Sequence, residues 1–332
     1  MTRRPGRSAG NDPGLAGVLD ARAPAVCLVG KAWDFHVDVA LGITKTENIE
    51  LIAESVAHAK ARGRETMFDA EHFFDGYKSD PGFALACVRA ALDAGARWAV
   101  LCDTNGGTLP EEVERMTATV ASTFGGERIG IHAHNDTEHA VANSLAAIRG
   151  GARQVQGTLN GLGERCGNAN LVSLIPTLML KPWYAERFAI GIDAEGLTHL
   201  TATSRLLDEL LNRAPNRHAP YVGASAFAHK GGLHVSAVEK DPRTYEHEPP
   251  ESVGNRRHIL VSDQAGRSNL LARLREAGIA VDAKSPKLGR LLEEVKRREF
   301  DGYSYDGAEA SFELMARRVL GEVPNYFEVE RF

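Results

Sequence analysis

The sequence predicts an α/β fold, a parallel sheet with crossover helices followed by a helical appendage, and three observations carry that expectation. From about Ala25 to Lys181, short apolar runs alternate with segments of helical period, as successive β/α units do. Polar residues gather directly after several of these runs, where the C-terminal ends of parallel strands bring distant segments together. Beyond Pro182 the rhythm changes to helical segments without intervening strands.

Taken in order, the strands are expected at Ala25 to Val29, Thr66 to Phe68, Trp98 to Leu101, Arg128 to His132 and Gln154 to Thr158. The clearest helix runs from Glu47 to Ala61, with Ile49, Ile52, Val56 and Ala59 at helical spacing behind a Thr46 cap. Pro81 and Pro110 mark two further helix starts, where a missing amide hydrogen costs little. In the second half, Leu197 to Leu211 and Leu288 to Arg298 read as helices, separated by a loop rich in Gly, Pro and His. The expected organisation is an irregular N-terminus over residues 1–20, a sheet-bearing domain over 21–185 and helical linker or lid subdomains over 186–325, with 326–332 leading onward.

At 332 residues and 43% hydrophobic content the chain can bury a substantial core. A net charge of -5 argues against a basic face for nucleic acid, although an anionic small molecule needs only a local basic patch. Cys27, Cys87, Cys102 and Cys166 form no CxxC pair and read as reduced thiols. Arg3-Arg4 hints at a twin-arginine signal, but no apolar region follows before Asn11-Asp12-Pro13-Gly14. A cytoplasmic location is expected, with no membrane partner, since no apolar run approaches the ~18 residues of a span.

His132 and His134 stand two apart at a strand end, so both imidazoles project to one face and can chelate one ion; the alternative is a satisfied buried pair. The next strand leads into Asn160-Gly161-Leu162-Gly163-Glu164-Arg165-Cys166-Gly167-Asn168, whose glycines allow the backbone to turn and bring Asn168 or Glu164 to a ligand. Asn168 reads equally as the cap of a helix running toward Leu180. Two imidazoles and an amide lack an anionic ligand, so a carboxylate is needed from elsewhere or from the substrate. Glu71, flanked by aromatics, reads as an acid/base group with a pKa lifted by desolvation, or as the partner of Lys78 in a loop salt bridge. Asp103-Thr104 suits a small acid, or a turn on Gly106-Gly107. The stretch Ala228-His229-Lys230-Gly231-Gly232-Leu233-His234 reads as a lid element or an exposed loop.

The segments Gly130 to Asp136, Val141 to Ala147, Gln156 to Gly161 and Gly163 to Ala169 together resemble the isopropylmalate, homocitrate and citramalate synthase family. Lys31-Ala32-Trp33-Asp34-Phe35-His36-Val37 and Asp69 through Lys78 resemble its citramalate branch, and Phe227 to Val238 with Val253 to Arg257 extend the likeness along the chain. The resemblance implies a (β/α)8 TIM barrel in which His132, His134 and Asn168 serve a divalent metal, Mn²⁺, Mg²⁺ or Zn²⁺. It further implies that Glu71 and His234 are catalytic, and that Asp69 and Thr104 line a 2-oxo acid pocket. The implied partners are acetyl-CoA and pyruvate, with a homodimer in the complete enzyme; the implied alternatives are isopropylmalate or homocitrate synthesis, or an inactive fragment associating with a full-length homologue.

The likeness has gaps. The family's first strand carries an Asp-x-Thr-Leu-Arg-Asp-Gly motif supplying the anionic metal ligand and an arginine, and no such motif occurs here. Thr2-Arg3-Arg4-Pro5 resembles the end of the third barrel strand, so an incomplete barrel without about its first three strands is expected. Tyr326 to Phe332 resembles the entry into a regulatory domain.

Overall fold

The computed structural model describes residues 1–260, 266–305 and 308–323, so the regulatory entry expected at 326–332 lies outside the described residues. Two compact units divide the chain, Met1–Ile175 and Pro176–Phe332.

The first unit is built on a five-stranded parallel sheet in sequential order, β1 (Ala25–Lys31), β2 (Glu65–Glu71), β3 (Trp98–Asp103), β4 (Ile129–Ala133) and β5 (Gln154–Gln156). All five expected strands are present, with ends shifted by one to three residues. The shift matters for β2, which runs on to include Glu71 itself. Barrel closure requires eight strands, of which the described residues supply five. Thr2 donates its backbone N–H to the Val29 carbonyl at 2.9 Å, so the first residues lie along the outer edge of β1.

One face of the sheet is sealed by helices. Leu28, Phe68, Leu101, Ile129 and Ile131 are fully buried against Ile52, Val56, Val88 and Val113, each such side chain contributing roughly 1.5–3 kcal/mol relative to exposure. The other face of β1 is half-exposed, and it carries Cys27, Val29 and Lys31 in alternation. The helix Lys45–Ala61 is capped by Thr44, whose hydroxyl accepts from Glu47 N–H at 3.2 Å, and not by Thr46 as the periodicity suggested. The helix thus begins two residues upstream of Glu47. Pro81 and Pro110 open their helices as expected.

The second unit corrects the expectation of helices alone. A two-stranded parallel sheet pairs Ala228–His229 with His258–Ile259, and the stretch read as a lid or loop is this strand followed by the helix Gly232–Lys240. The helices Arg267–Glu276, Pro286–Phe300 and Glu309–Leu320 share a core of Leu270, Leu274, Leu288, Leu291, Val295 and Phe312. His229 is held structurally: its Nε2 lies 3.0 Å from the buried Glu246 carboxylate, which also takes two hydrogen bonds from Arg257. No described helix is long and apolar enough to cross a membrane.

Candidate active site at the strand ends

Parallel register sets which side chains meet. Lys31 of β1 is level with Glu71 of β2, while Cys102, His132 and Gln156 share one row across β3, β4 and β5. Side chains level in adjacent parallel strands project to the same face, so these residues surround one end of the sheet.

Glu71 forms an ion pair with Lys31. The partner considered from sequence, Lys78, bonds Glu112 instead at 3.1 Å. Phe73 and Phe74, expected to desolvate the carboxylate, turn into the core and are fully buried there. Above the pair sits a cluster of Trp33, His36 and His72, with the two imidazole centroids 4.4 Å apart. Burial, then Lys31 and His72, push the His36 pKa below its ordinary value. His72 adopts a left-handed backbone, φ 57°, and gives its N–H to Thr104 Oγ1 at 2.8 Å, tying the ends of β2 and β3.

Asp103 is directed inward. Its carboxylate accepts from Thr108 Oγ1 at 2.8 Å and Asn143 Nδ2 at 3.2 Å, and burial raises its pKa. It therefore supports the turn, leaving Thr104 as the member of the pair at the rim.

At β4 the two histidines part company. His132 Nδ1 lies 2.7 Å from Gln156 Oε1, whereas His134 Nδ1 is buried with no hydrogen-bond partner, and burial lowers the His134 pKa. A single antiparallel bridge sets His134 beside Asn168, whose Oδ1 is also buried without a partner while its Nδ2 reaches the Leu162 carbonyl at 3.2 Å. The capping alternative for Asn168 does not hold: the helix Leu171–Leu180 is opened by Asn170, which accepts from Val172 N–H at 3.1 Å. Gly167 makes the approach of Asn168 possible, because its φ of 93° is left-handed and a Cβ there would overlap the Gly161 carbonyl. Arg165 clamps the rim from the same loop, bonding Asp136 at 2.7 and 2.9 Å and the Thr104 carbonyl at 2.7 Å.

Two orphaned buried acceptors, one imidazole and one amide, next to a second imidazole suit a divalent cation. Among the described residues no group of three or more His, Cys, Asp or Glu is placed to hold an ion, and the donors gathered here are two imidazoles and an amide, with no carboxylate among them. Asp69 lies level with Val100 on β2, is largely buried, and accepts from Gln156 Nε2 at 2.8 Å. His234 belongs to the second unit, where its ring stacks on Tyr245 with centroids 4.1 Å apart.

The HMGL-like family model matches residues 9–203, which takes in all five strands and the whole of this rim. The chain belongs to the HMGL-like family. A second model, the homocitrate synthase post-HMGL domain-like region, matches residues 221–299 of this HMGL-like chain. The (R)-citramalate synthase of Aquifex aeolicus is 51% identical over 100% of the chain and 62% of its own length. That of Geobacter sulfurreducens is 50% identical over the same shares, 100% and 62%. Isopropylmalate and homocitrate synthases match at 33% to 36% identity. Among solved structures, an HMG-CoA lyase from Acinetobacter baumannii, in complex with coenzyme A and 3-methylmalate, is 25% identical with a TM-score of 0.50, covering 61% of this chain and 66% of that one. These neighbours establish the TIM-barrel type of fold. The chain spans about 62% of the length of the citramalate synthases.

Two participants of the HMGL-like rim were not assigned roles from sequence. Lys31 and Gln156 both stood inside recognised motifs, and their position level with Glu71 and His132 was the signal available, once the strands were paired.

Proposed function

We propose that the chain forms the metal-bearing and acid/base-bearing part of an acyltransferase that condenses acetyl-CoA with pyruvate to give (R)-citramalate. The observation that carries the reading is the pair of unpartnered ligand atoms, His134 Nδ1 and Asn168 Oδ1, beside His132 and on the same rim as Glu71. Similarity to citramalate synthases over the full chain supports pyruvate over larger 2-oxo acids.

In this reading His132, His134 and Asn168 hold a divalent cation, Mn²⁺, Mg²⁺ or Zn²⁺, which when bound supplies Lewis-acid polarisation of a keto group. A carboxylate from outside this set completes the site. Glu71, paired with Lys31, takes a proton from the acetyl methyl group. The resulting enolate carbon attacks the keto carbon of pyruvate, and water then cleaves the thioester and releases the coenzyme A thiol. Thr104 and Asp69 line the 2-oxo acid side, and proton transfer is the role assigned to His234. A cytoplasmic homodimer belongs to the same proposal, and four unpaired cysteines support a reducing compartment.

The test is thiol release from acetyl-CoA with pyruvate, using this chain with its barrel closed by upstream strands from a citramalate synthase. Glu71→Gln should lower turnover by roughly 10² to 10⁴ and leave metal affinity within about twofold. Near-normal turnover of the variant would return Glu71 to a structural ion pair.

A further inference from the structure

Three side chains on three different strands form one hydrogen-bonded chain behind the proposed metal site. Gln156 Nε2 donates to Asp69 Oδ1 at 2.8 Å, and Gln156 Oε1 lies 2.7 Å from His132 Nδ1. Asp69 is 7% exposed, and its second oxygen lies 4.0 Å from the same imidazole nitrogen. The polarity of this chain is dictated at its far end. The Asp69 oxygen accepts from Nε2, so the amide presents Oε1 to His132. An amide oxygen only accepts, so His132 must carry its proton on Nδ1. Nε2 is then the ring atom left with a lone pair.

We infer that Gln156, anchored by Asp69, is a positioning residue that fixes His132 in the Nδ1–H tautomer and so prepares Nε2 as a cation ligand. The inference rests on the metal reading above and goes beyond it by assigning Gln156 and giving Asp69 a part in ligand orientation. The contrast with His134 supports it, because that ring has no such partner on Nδ1 and is located instead by its bridge to Asn168. Metal-bound imidazoles that lose their outer hydrogen-bond partner typically lose 10- to 100-fold in affinity. A neutral amide in that place orients the ring without adding a second carboxylate beside Asp69.

Two measurements on the 332-residue chain test the inference, starting with long-range ¹H–¹⁵N correlation spectra of ¹⁵N-histidine-labelled protein without metal, His132 being assigned by its absence in His132→Ala. Wild type should show His132 protonated on Nδ1. Gln156→Leu should release it toward the Nε2–H form favoured in water, and Asp69→Asn, which lets the amide turn over, should give a mixture while preserving packing. Titration with Mn²⁺ or Zn²⁺ should show a 10- to 100-fold loss in Gln156→Leu and a smaller one in Asp69→Asn. An Nε2–H His132 in the wild type, or unchanged tautomer and affinity in Gln156→Leu, would overturn the inference. A shifted tautomer together with metal affinity that is indifferent to His132→Ala would overturn the metal reading itself, which the spectra thereby separate from the orientation of the ring.

Discussion

His132 and His134 share a face because side chains in extended backbone repeat every two residues, yet their surroundings differ enough to give them different work. One ring is fixed through Nδ1, and the other keeps Nδ1 buried and unpartnered beside the equally unpartnered Asn168 Oδ1. Leaving such atoms unsatisfied costs about 1–3 kcal/mol each unless a ligand engages them. We expect the His132→Ala/His134→Ala double variant to abolish binding of Mn²⁺, Mg²⁺ and Zn²⁺ in calorimetric titration, and affinity equal to wild type would refute the assignment. A second expectation concerns His36, which packs against His72 with Lys31, Glu71 and Asp75 around it. Its folded pKa lies below the ordinary 6.5, so as pH falls the unfolded chain takes up the proton first. Stability from this group is complete above pH 6.5 and is lost as pH drops through the folded value. Denaturation midpoints measured from neutral to mildly acid pH should therefore converge between wild type and His36→Gln, and parallel profiles would contradict the burial argument.

Among the elements, the helix Lys45–Ala61 shows how a cap decides a boundary. The apolar stripe of Ile52, Val56 and Ala59 was readable, and all three are fully buried. The choice between Thr44 and Thr46 was not, since both precede the stripe and either hydroxyl satisfies the pattern. Thr44 has extended backbone and bonds Glu47 N–H, whereas Thr46 is exposed within the first turn. Thr44→Ala should cost about 1 kcal/mol in urea denaturation, and Thr46→Ala less than about 0.5 kcal/mol; the reverse order would move the cap back to Thr46. The same competition appears at the other end of the sheet, where Asn170 takes the capping role and leaves Asn168 free to face His134.

For the whole molecule, the distance between β2 and β5 is instructive. In a flat sheet, strands three places apart lie about 14 Å from one another, too far for the Asp69 and Gln156 side chains to bond. Their contact at 2.8 Å requires the sheet to curl, as a sector of a barrel does. Catalysis needs such groups held to within ~0.5 Å, and closure needs eight strands where five are described. We therefore expect the 332 residues as given, purified alone with Mn²⁺, to release no coenzyme A thiol from acetyl-CoA and pyruvate. The motif expected from the family resemblance to supply a carboxylate and an arginine does not occur in these residues, and the loss of one charged donor alone lowers rates by ~10² to 10³. Robust turnover would mean that another segment supplies those groups.

The order of strands and helices in the first unit, the proline-opened helix starts and the placing of Glu71, Thr104, His132 and Asn168 near strand ends were legible in the chain, because each depends on local periodicity or on a residue's own backbone preference, whereas the two short strands of the second unit were not. The family motifs added the barrel and the roles proposed for these residues. Which groups bond which was decided only by the tertiary structure: Glu71 takes Lys31 and not Lys78, Asn168 yields the cap to Asn170, and Asp69 reaches Gln156 across 87 positions of sequence. Those pairings follow from strand register and sheet curvature, and both are properties of how distant segments pack, which no window along the sequence contains.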